Sequence, residues 1–574
     1  NSKKIGRRKP AAPTAAGSRS NRKTTKAAPP GTGRGDAGTG AERNGFAALQ
    51  KMGGFLLAVV VQEQREGKLI RFSRKMEQIG NRLPHPAVVF LYLLLIVFVS
   101  SAVLASFGVE VAYSAADGTG AVTETTVRVV NLLSKEELQH FFSNIVAAYQ
   151  SNTMMILMLI VAMSLSVAEE SGFFSAALRR VVAGAPREVA TFLFCVAGVC
   201  SNICSDAGMI LAPSIGAVLY KSLGRNPWIG IATGYAAAAA GYTANFLPTG
   251  TDVLLSGITN GLSEPHGFSV HPLSNWYFLC VAVVVIALVC TVVSERFLTK
   301  LFGDTRLERD PGASLQTSEA ENQGLKSALF TFLAMLVALL ACTAPENSLF
   351  RAADGSLLPK SPLMDALVPI ICLFFLAVGI AYALASGAVR SAGELPGMIQ
   401  KGITNLSGLL LITFPASLFI YEFNRSGLST LISVYGERFL RTIHLTGFPM
   451  LIVFILVISF LNLFLYNGSS KWLILAPFLV PMFTNLGIHP ALTQVAYRIG
   501  DSCTNNLTPL NACLMICLAL MQKYRNPQLN PEEPGVGTFL SAQLPFSLAF
   551  LAAFLALLAV FVFAGLPLGP GTPV

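Results

Sequence analysis

The residues of this sequence that could do chemistry stand inside apolar stretches, where a charge is costly. Asp206 lies in the segment SNICSDAG (201–208), which interrupts a long apolar run. A carboxylate in such surroundings needs a cation, a proton or a basic partner to offset its lost hydration. Asp206 is therefore predicted to bind a coupling ion or proton, with the capping of exposed backbone amides as the alternative.

A second charged cluster occurs in QVAYRIGDSCTNNLTP, where Arg498 and Asp501 are three residues apart on one face of a predicted helix. One interpretation is a structural ion pair between them. The other is that Arg498 receives a substrate carboxylate bidentately, while Asp501 orients it or takes part in proton movement. The two roles can coexist.

Ser469 and Trp472 lie about one turn apart in the segment NGSSKW (467–472). The indole could stack on an aromatic substrate and the hydroxyl could bind it by a hydrogen bond. The alternative for Trp472 is packing, or a position in an interfacial aromatic belt.

Neutral amide and hydroxyl side chains surround these segments. Sodium prefers such oxygens beside unwound backbone carbonyls, although each could instead cap a helix. With Asp206, they are the candidate ligands of a coupling cation, Na⁺ or H⁺: Asn202, Thr243, Asn245, Asn467, Thr504, Asn505 and Asn506. No other cofactor and no transition-metal site are expected, because the six His are scattered and no ATP-binding or hydrolase motif occurs.

The elements that must position these residues are membrane helices. The 574 residues are 53% hydrophobic and 13% charged, and several apolar runs are long enough to cross about 30 Å of hydrocarbon. Nine crossings are predicted near 87–108, 143–168, 226–248, 273–294, 325–343, 363–388, 402–425, 493–520 and 540–566. Two further stretches, 188–220 and 447–482, are interrupted by polar and small residues and are predicted to be re-entrant hairpins.

The charge distribution orients the chain. Residues 1–75 contain 17 Lys and Arg but only 4 Asp and Glu, and their Pro-, Gly- and Ala-rich composition predicts a disordered cytoplasmic tail. The net charge of +10 comes from this tail, so contact with anionic lipid is expected and nucleic-acid binding is not. The segment 249–272 has no Lys or Arg and is predicted to lie outside.

The sequence repeats itself where the helices break. SDAGMILAP (205–213) and SSKWLILAP (469–477) share ILAP at an offset of 264, and TANFLP (243–248) matches TNNLTP (504–509) at an offset of 261. Five predicted crossings between the hairpins would place the second copy upside down. Inverted repeats with broken helices are typical of secondary transporters.

The predicted fold is all-α and polytopic, with nine transmembrane helices and two re-entrant hairpins in an inverted repeat. After the tail come the first helices (76–187), the first hairpin and broken helix (188–261), connecting helices (262–401), the second hairpin and broken helix (402–520), and a last helix with the C-terminus (521–574).

Four segments resemble the AbgT family: SNICSDAGMILAP (201–213), GRNPWIGIATGYAAAAAGYTANFLPTGTDVLLSGITNGL (224–262), YNGSSKWLILAPFLVPMF (466–483) and AYRIGDSCTNNLTPLNA (496–512). The run MEQIGNRLPHP before the first crossing does so too, and the similarity covers about 76–566. The resemblance implies a homodimer in the bacterial cytoplasmic membrane, related to the wider ion-transporter superfamily. It also implies import of p-aminobenzoyl-glutamate or export of sulfonamides. The family's important positions carry over as Asp206, Ser469, Trp472, Pro490, Arg498, Asp501 and Pro509.

The expected function is a cation-coupled secondary transporter for a small anionic aromatic substrate, and not an enzyme. A short-chain fatty acid or dicarboxylate carrier would share the architecture and need an anion site, but not Trp472. An intramembrane aspartyl protease using Asp206 and Asp501, and a channel, are the rivals from other classes.

Overall fold

Helices of different lengths account for most of the described residues. The computed structural model describes residues 84–116, 122–150, 154–183, 186, 189–204, 206–304, 315–346, 348–358, 361–527, 530 and 533–574. The predicted tail, 1–75, lies outside the described residues. All described residues belong to the unit formed by residues 67–574.

The helices are α1 (Pro86–Ser106), α2 (Lys135–Gln150), α3 (Met154–Glu170), α4 (Phe173–Ala183), α5 (Ala190–Cys200), α6 (Asp206–Ser222), α7 (Pro227–Ala240), α8 (Gly250–Ser263), α9 (Trp276–Val293), α10 (Thr299–Phe302), α11 (Glu319–Ala341), α12 (Pro362–Asp365), α13 (Leu367–Ala385), α14 (Leu395–Asn405), α15 (Ser407–Arg425), α16 (Leu428–Thr442), α17 (Gly447–Asn462), α18 (Gly468–Asn485), α19 (Pro490–Ser502), α20 (Cys513–Lys523) and α21 (Val536–Phe563). One antiparallel hairpin, β1 (Glu110–Ala116) and β2 (Val122–Arg128), pairs Glu110 with Arg128.

Six described helices are long and apolar enough to cross a membrane: Pro86–Ser106, Trp276–Phe302, Glu319–Ala341, Leu367–Ala385, Ser407–Arg425 and Val536–Phe563. The number rises to eight if each of two bent helix pairs is one span. These six coincide with six of the nine predicted crossings. Of the other three, 226–248 runs past the end of α7 and 493–520 includes the break between α19 and α20. The stretch 143–168 covers the end of α2 and most of α3, and residues 151–153 between them lie outside the described part of the chain.

Both stretches predicted as re-entrant hairpins contain a helix break, but the second break precedes the predicted interruption 467–472 and overlaps it only at residue 467. A 3₁₀ turn, Ser201–Cys204, separates α5 from α6, and residues 463–467 separate α17 from α18. The helix that follows is broken in each half as well, at 241–249 between α7 and α8 and at 503–512 between α19 and α20. The two halves of the repeat therefore share the order helix, break, helix, helix, break, helix.

The two broken helices also begin alike. Asn226 precedes Pro227 and accepts a hydrogen bond from the backbone N–H of Trp228 at 3.1 Å. His489 precedes Pro490 and accepts from the N–H of Ala491 at 3.2 Å. Proline suits the first helical position because its missing N–H would have no intrahelical partner there.

Small residues set the packing of the first half. A Cβ on Gly216 or on Gly230 would overlap the backbone of the other, and one on Gly234 would overlap Ala212. The helices α6 and α7 can therefore approach at backbone distance, as small residues allow in membrane helix pairs. All fourteen residues of α7 are buried.

Candidate functional site

A polar cavity of about 100 Å³ lies where the breaks of the two halves meet. The first half contributes Met209, Tyr242, Thr251 and Leu255, and the second half contributes Tyr466, Asn467, Gly468, Ser469, Asp501 and Asn505. Backbone groups freed at helix breaks are tolerated at membrane depth where they line such a cavity. The predicted residues Ser469, Asn467, Asp501 and Asn505 are thus brought together.

The start of α18 forms one wall of this cavity. Asn467 caps the helix by accepting a hydrogen bond from the N–H of Ser470 at 2.9 Å. The Tyr497 hydroxyl donates to the carbonyl of Gly468 at 2.5 Å. A Cβ on Gly468 would overlap the carboxylate of Asp501, so the absent side chain leaves room for that carboxylate at the helix N-terminus.

Lys471 is the partner of Asp501. Its ammonium lies 2.6 Å from Asp501 Oδ1, an ionic contact that is not a well-directed hydrogen bond. The same ammonium donates to Asn462 Oδ1 at 2.5 Å and to the carbonyl of Leu465 at 3.0 Å. Its side chain is 1% exposed, so the ammonium has been removed from solvent almost completely.

Arg498 pairs with Asp252, not with Asp501. Arg498 Nη1 donates to Asp252 Oδ1 at 2.5 Å, and Nη2 donates to the carbonyl of Thr243 at 3.3 Å. The predicted Arg498–Asp501 ion pair is therefore wrong, because three-residue spacing places two side chains on one helix face but does not choose their partners. The Nε of Arg498 is buried without a hydrogen-bond partner within the described part of the chain.

The carboxylate of Asp252 also caps a helix. Its Oδ2 accepts hydrogen bonds from the N–H and the hydroxyl of Thr249, at 2.6 and 2.7 Å. This capping box starts α8, so the same side chain both begins a helix of the first half and binds the second half. Residues 249–272, predicted as an outside loop, thus contain a largely buried helix.

Trp472 is fully buried and lies away from the cavity wall. Its indole N–H donates to Thr259 Oγ1 of α8 at 3.1 Å, and its ring stacks on Tyr497 with centroids 4.4 Å apart. In this structure the indole joins α18 to α8 and α19. Stacking of a substrate ring on Trp472 stays a prediction.

Two asparagines of the first half, Asn202 and Asn245, lie at the helix breaks. Asn202 donates from Nδ2 to the carbonyls of Tyr242 at 2.8 Å and Ala244 at 3.1 Å, which ties the first break to the unwound segment 241–249. Its Oδ1 and that of Asn245 are buried without a hydrogen-bond partner among the described residues. Thr243 donates its hydroxyl to the carbonyl of Arg498 at 3.1 Å.

In the second half the corresponding polar groups are bonded. Asn462 donates to the carbonyl of Asp501 at 2.6 Å, to Thr504 Oγ1 at 3.1 Å and to Asn505 Oδ1 at 2.8 Å. Thr504 donates to the carbonyl of Ser459 at 2.9 Å. These bonds hold the unwound segment 503–512 against the break that follows α17.

Asn506 serves α21. Its Nδ2 donates to Gln543 Oε1 at 3.1 Å and its Oδ1 accepts from the Ser547 hydroxyl at 2.5 Å. Gln543 in turn donates to the carbonyl of Ala232 at 3.0 Å, so this network joins α21 to both broken helices.

The remaining predicted site residues are Asp206, Pro490 and Pro509. Asp206 is the first residue of α6, and its side chain lies outside the described part of the structure. Pro490 is the first residue of α19, and Pro509 lies in the unwound segment after it.

Sequence reasoning missed Lys471 and Asp252. Lys471 stands in the same segment as Ser469 and Trp472, and a lysine at a helix break inside an apolar stretch itself indicates a functional site. Asp252 gave a weaker one: the pattern Thr-x-x-Asp (249–252) predicts a capping box, but nothing in it points to Arg498.

Broken helices that enclose a polar cavity among apolar spans define a polytopic membrane protein with transporter architecture. Residues 71–574 match the AbgT putative transporter family, and the chain belongs to that family. It is therefore a transporter and not an enzyme, so the aspartyl-protease alternative is wrong.

Individual relatives agree with this assignment. The chain is 32% identical over 518 residues to the p-aminobenzoyl-glutamate transport protein of Escherichia coli (strain K12), which covers 90% of this chain and 98% of the relative. Two solved transporters have the same fold. One is YdaH of Alcanivorax borkumensis, described as having an unusual topology, with a TM-score of 0.76 and 29% identity over 85% of this chain and all of the other. The second is MtrF of Neisseria gonorrhoeae, described among a class of antimetabolite efflux pumps, with a TM-score of 0.80 and 32% identity over 88% of this chain and all of the other.

Proposed function

We propose that this protein is a cation-coupled secondary transporter of the bacterial cytoplasmic membrane that moves p-aminobenzoyl-glutamate or exports sulfonamide-type antimetabolites. The observation that carries the proposal is the cavity built jointly by the breaks of the two halves. A site at such a junction can be opened to either side when one half moves against the other.

The substrate class is supported by the relatives. A transporter of p-aminobenzoyl-glutamate covers nearly the whole chain, and an antimetabolite efflux pump shares the fold. The cavity wall offers amide, hydroxyl and phenol groups that suit a polar ligand, and Lys471, which is paired with Asp501 of the wall, supplies a positive charge for a carboxylate. A small dicarboxylate is the competing substrate, since Trp472 does not line the cavity in this structure.

Sodium is the proposed coupling ion. The oxygens of Asn202 and Asn245, which are buried without a partner among the residues that the structure describes, are the kind of ligand that Na⁺ takes beside unwound backbone carbonyls, and the segment 241–249 supplies such carbonyls. A homodimer with cytoplasmic N-termini completes the proposal.

The test is uptake of radiolabelled p-aminobenzoyl-glutamate into proteoliposomes under an imposed Na⁺ gradient and, separately, a pH gradient. Wild type should accumulate the ligand with Na⁺, and Asn245→Ala should need more Na⁺ for the same rate. Asn405→Ala, at an exposed asparagine, is the matched control. Succinate and a sulfonamide are added as competitors.

Uptake driven only by the pH gradient would overturn Na⁺ coupling and keep the carrier. Uptake of succinate without competition from either aromatic ligand would favour the dicarboxylate carrier. The absence of flux for every ligand under every gradient would reject the proposed function.

A further inference from the structure

The ammonium of Lys471 is enclosed by acceptors. It contacts one carboxylate oxygen, one amide oxygen and one backbone carbonyl, within 2.5 to 3.0 Å. Two of its three N–H donors make hydrogen bonds, to Asn462 Oδ1 and to the carbonyl of Leu465, and the carboxylate of Asp501 compensates its charge. A cation at 1% exposure is retained only with such compensation, because its desolvation is costly.

Asp501 stands between that ammonium and the cavity. It lines the cavity and its side chain keeps 12% exposure, whereas Lys471 is not part of the wall. Among the described lining residues Asp501 alone carries a charge. An anion that enters the cavity therefore meets a carboxylate first, and the ammonium that would attract it lies behind.

The place that Asp501 occupies is built for a carboxylate. Lys471 supplies the opposite charge, and Gly468 leaves the space at the N-terminus of the 18-residue helix α18, where the helix dipole favours an anion. These groups do not distinguish a carboxylate of the protein from one of a ligand.

We propose that Lys471 is the anion-binding group of the transporter and that Asp501 is a built-in counter-anion, which a carboxylate of the substrate replaces. This inference rests on the proposed function, since it names how the same cavity receives an anionic substrate. Arg498 is not the receptor: Asp252 holds it, with side-chain exposures of 2% and 1% for the pair.

The exchange explains why a cation must accompany the substrate. Lys471 and Asp501 together are neutral, so a bound carboxylate leaves one uncompensated negative charge at membrane depth. One cation for each bound carboxylate restores neutrality.

The experiment measures equilibrium binding of radiolabelled p-aminobenzoyl-glutamate to the purified full chain, without any gradient. The variants are Asp501→Asn, Lys471→Gln and the neutral pair Lys471→Gln/Asp501→Asn, with exposed Lys523→Gln as the control. The dimethyl ester of the same ligand is the uncharged probe.

Asp501→Asn should bind the anionic ligand about tenfold more tightly than wild type, because the competitor for Lys471 is gone. The ester should bind both proteins alike. Lys471→Gln and the neutral pair should lose the anionic ligand, and the neutral pair separates this loss from misfolding because no buried charge is left unpaired.

Unchanged or weaker binding by Asp501→Asn, or wild-type binding by the neutral pair, would overturn the proposal. If wild type does not bind p-aminobenzoyl-glutamate, the same comparison is made with glutamate and succinate. Tighter binding of either by Asp501→Asn would then support Lys471 as the receptor while the proposed substrate fails. If no carboxylate binds to wild type or to Asp501→Asn, the proposal is rejected.

Discussion

The two broken helices, α7 and α19, share a backbone arrangement but differ in the charge of their side chains. Both begin at a capped proline and both unwind after thirteen or fourteen residues. The first, PWIGIATGYAAAAA, has no charge, whereas the second, PALTQVAYRIGDS, contains Arg498 and Asp501. A repeated backbone arrangement can therefore supply a neutral packing frame in one half and the charged groups of a site in the other.

The packing of each half matches this division. In the first half α6 and α7 meet through glycines, which leaves no room between them for a long side chain. In the second half the rings of Trp472 and Tyr497 fill the space between α18 and α19, and Lys471 is buried on the same helix. The buried cations Lys471 and Arg498 thus lie on the two helices that these larger rings keep apart.

The largest expected effect comes from removing the charge that joins the halves. Arg498→Ala should lower the free energy of unfolding by about 3–5 kcal/mol, because Asp252 is left buried without its partner. Thermal unfolding in detergent measures this change. The neutral pair Asp252→Asn/Arg498→Gln should recover part of the loss, and wild-type stability of Arg498→Ala would show that the bridge does not hold the halves together.

The asparagines matched by the repeat should differ in effect. Asn506→Ala should cost about 2 kcal/mol, since Gln543 and Ser547 lose their partner. Asn245→Ala should cost less than about 1 kcal/mol, because its Oδ1 has no partner among the described residues. Unfolding curves for the two variants test the difference, and equal losses of stability would contradict it.

A smaller effect is expected from a methyl group at the cavity. Gly468→Ala should raise KM for the anionic substrate about tenfold, since the new methyl group fills the space beside Lys471 that the substrate carboxylate would take. Gly208→Ala in the first half should instead lower stability by about 1–3 kcal/mol, because it meets backbone of Ser201. Transport kinetics and unfolding are measured for both. Gly408→Ala, which faces open space, is the control, and a normal KM for Gly468→Ala would separate this glycine from the site.

The smallest effect concerns Trp472. Thr259→Val should cost about 1 kcal/mol of stability through the lost indole hydrogen bond and leave KM unchanged. Transport assays with an aromatic and a non-aromatic ligand provide the check. A KM that rises for the aromatic ligand alone would assign the indole to the substrate ring.

Local sequence signals predicted the helix breaks in part. Polar and small residues inside apolar runs located the first break within 201–208 but placed the second too late, at 467–472, because residues 468–472 begin a helix and the break lies at 463–467. The helix α8 was not predicted. Its sequence is rich in Gly, Ser, Thr and Asn, so its hydropathy resembles that of a loop.

Partner choice could not be predicted in the same way. The bond from Arg498 to Asp252 joins residues 246 positions apart, and the approach of Lys471 to Asp501 depends on how α18 packs on α19. Spacing along one helix reports which side chains share a face, whereas these contacts are set by the tertiary arrangement.

The double use of Asp252 also bears on how the chain is assembled. At about 5–20 residues per second, roughly 12–50 s of synthesis separate this carboxylate from its arginine. During that interval Thr249 is already beside Asp252. Its N–H and hydroxyl can stabilise the negative charge of the carboxylate by donating hydrogen bonds to it. The capping hydrogen bonds thus compensate the buried charge of Asp252 until Arg498 has been synthesised.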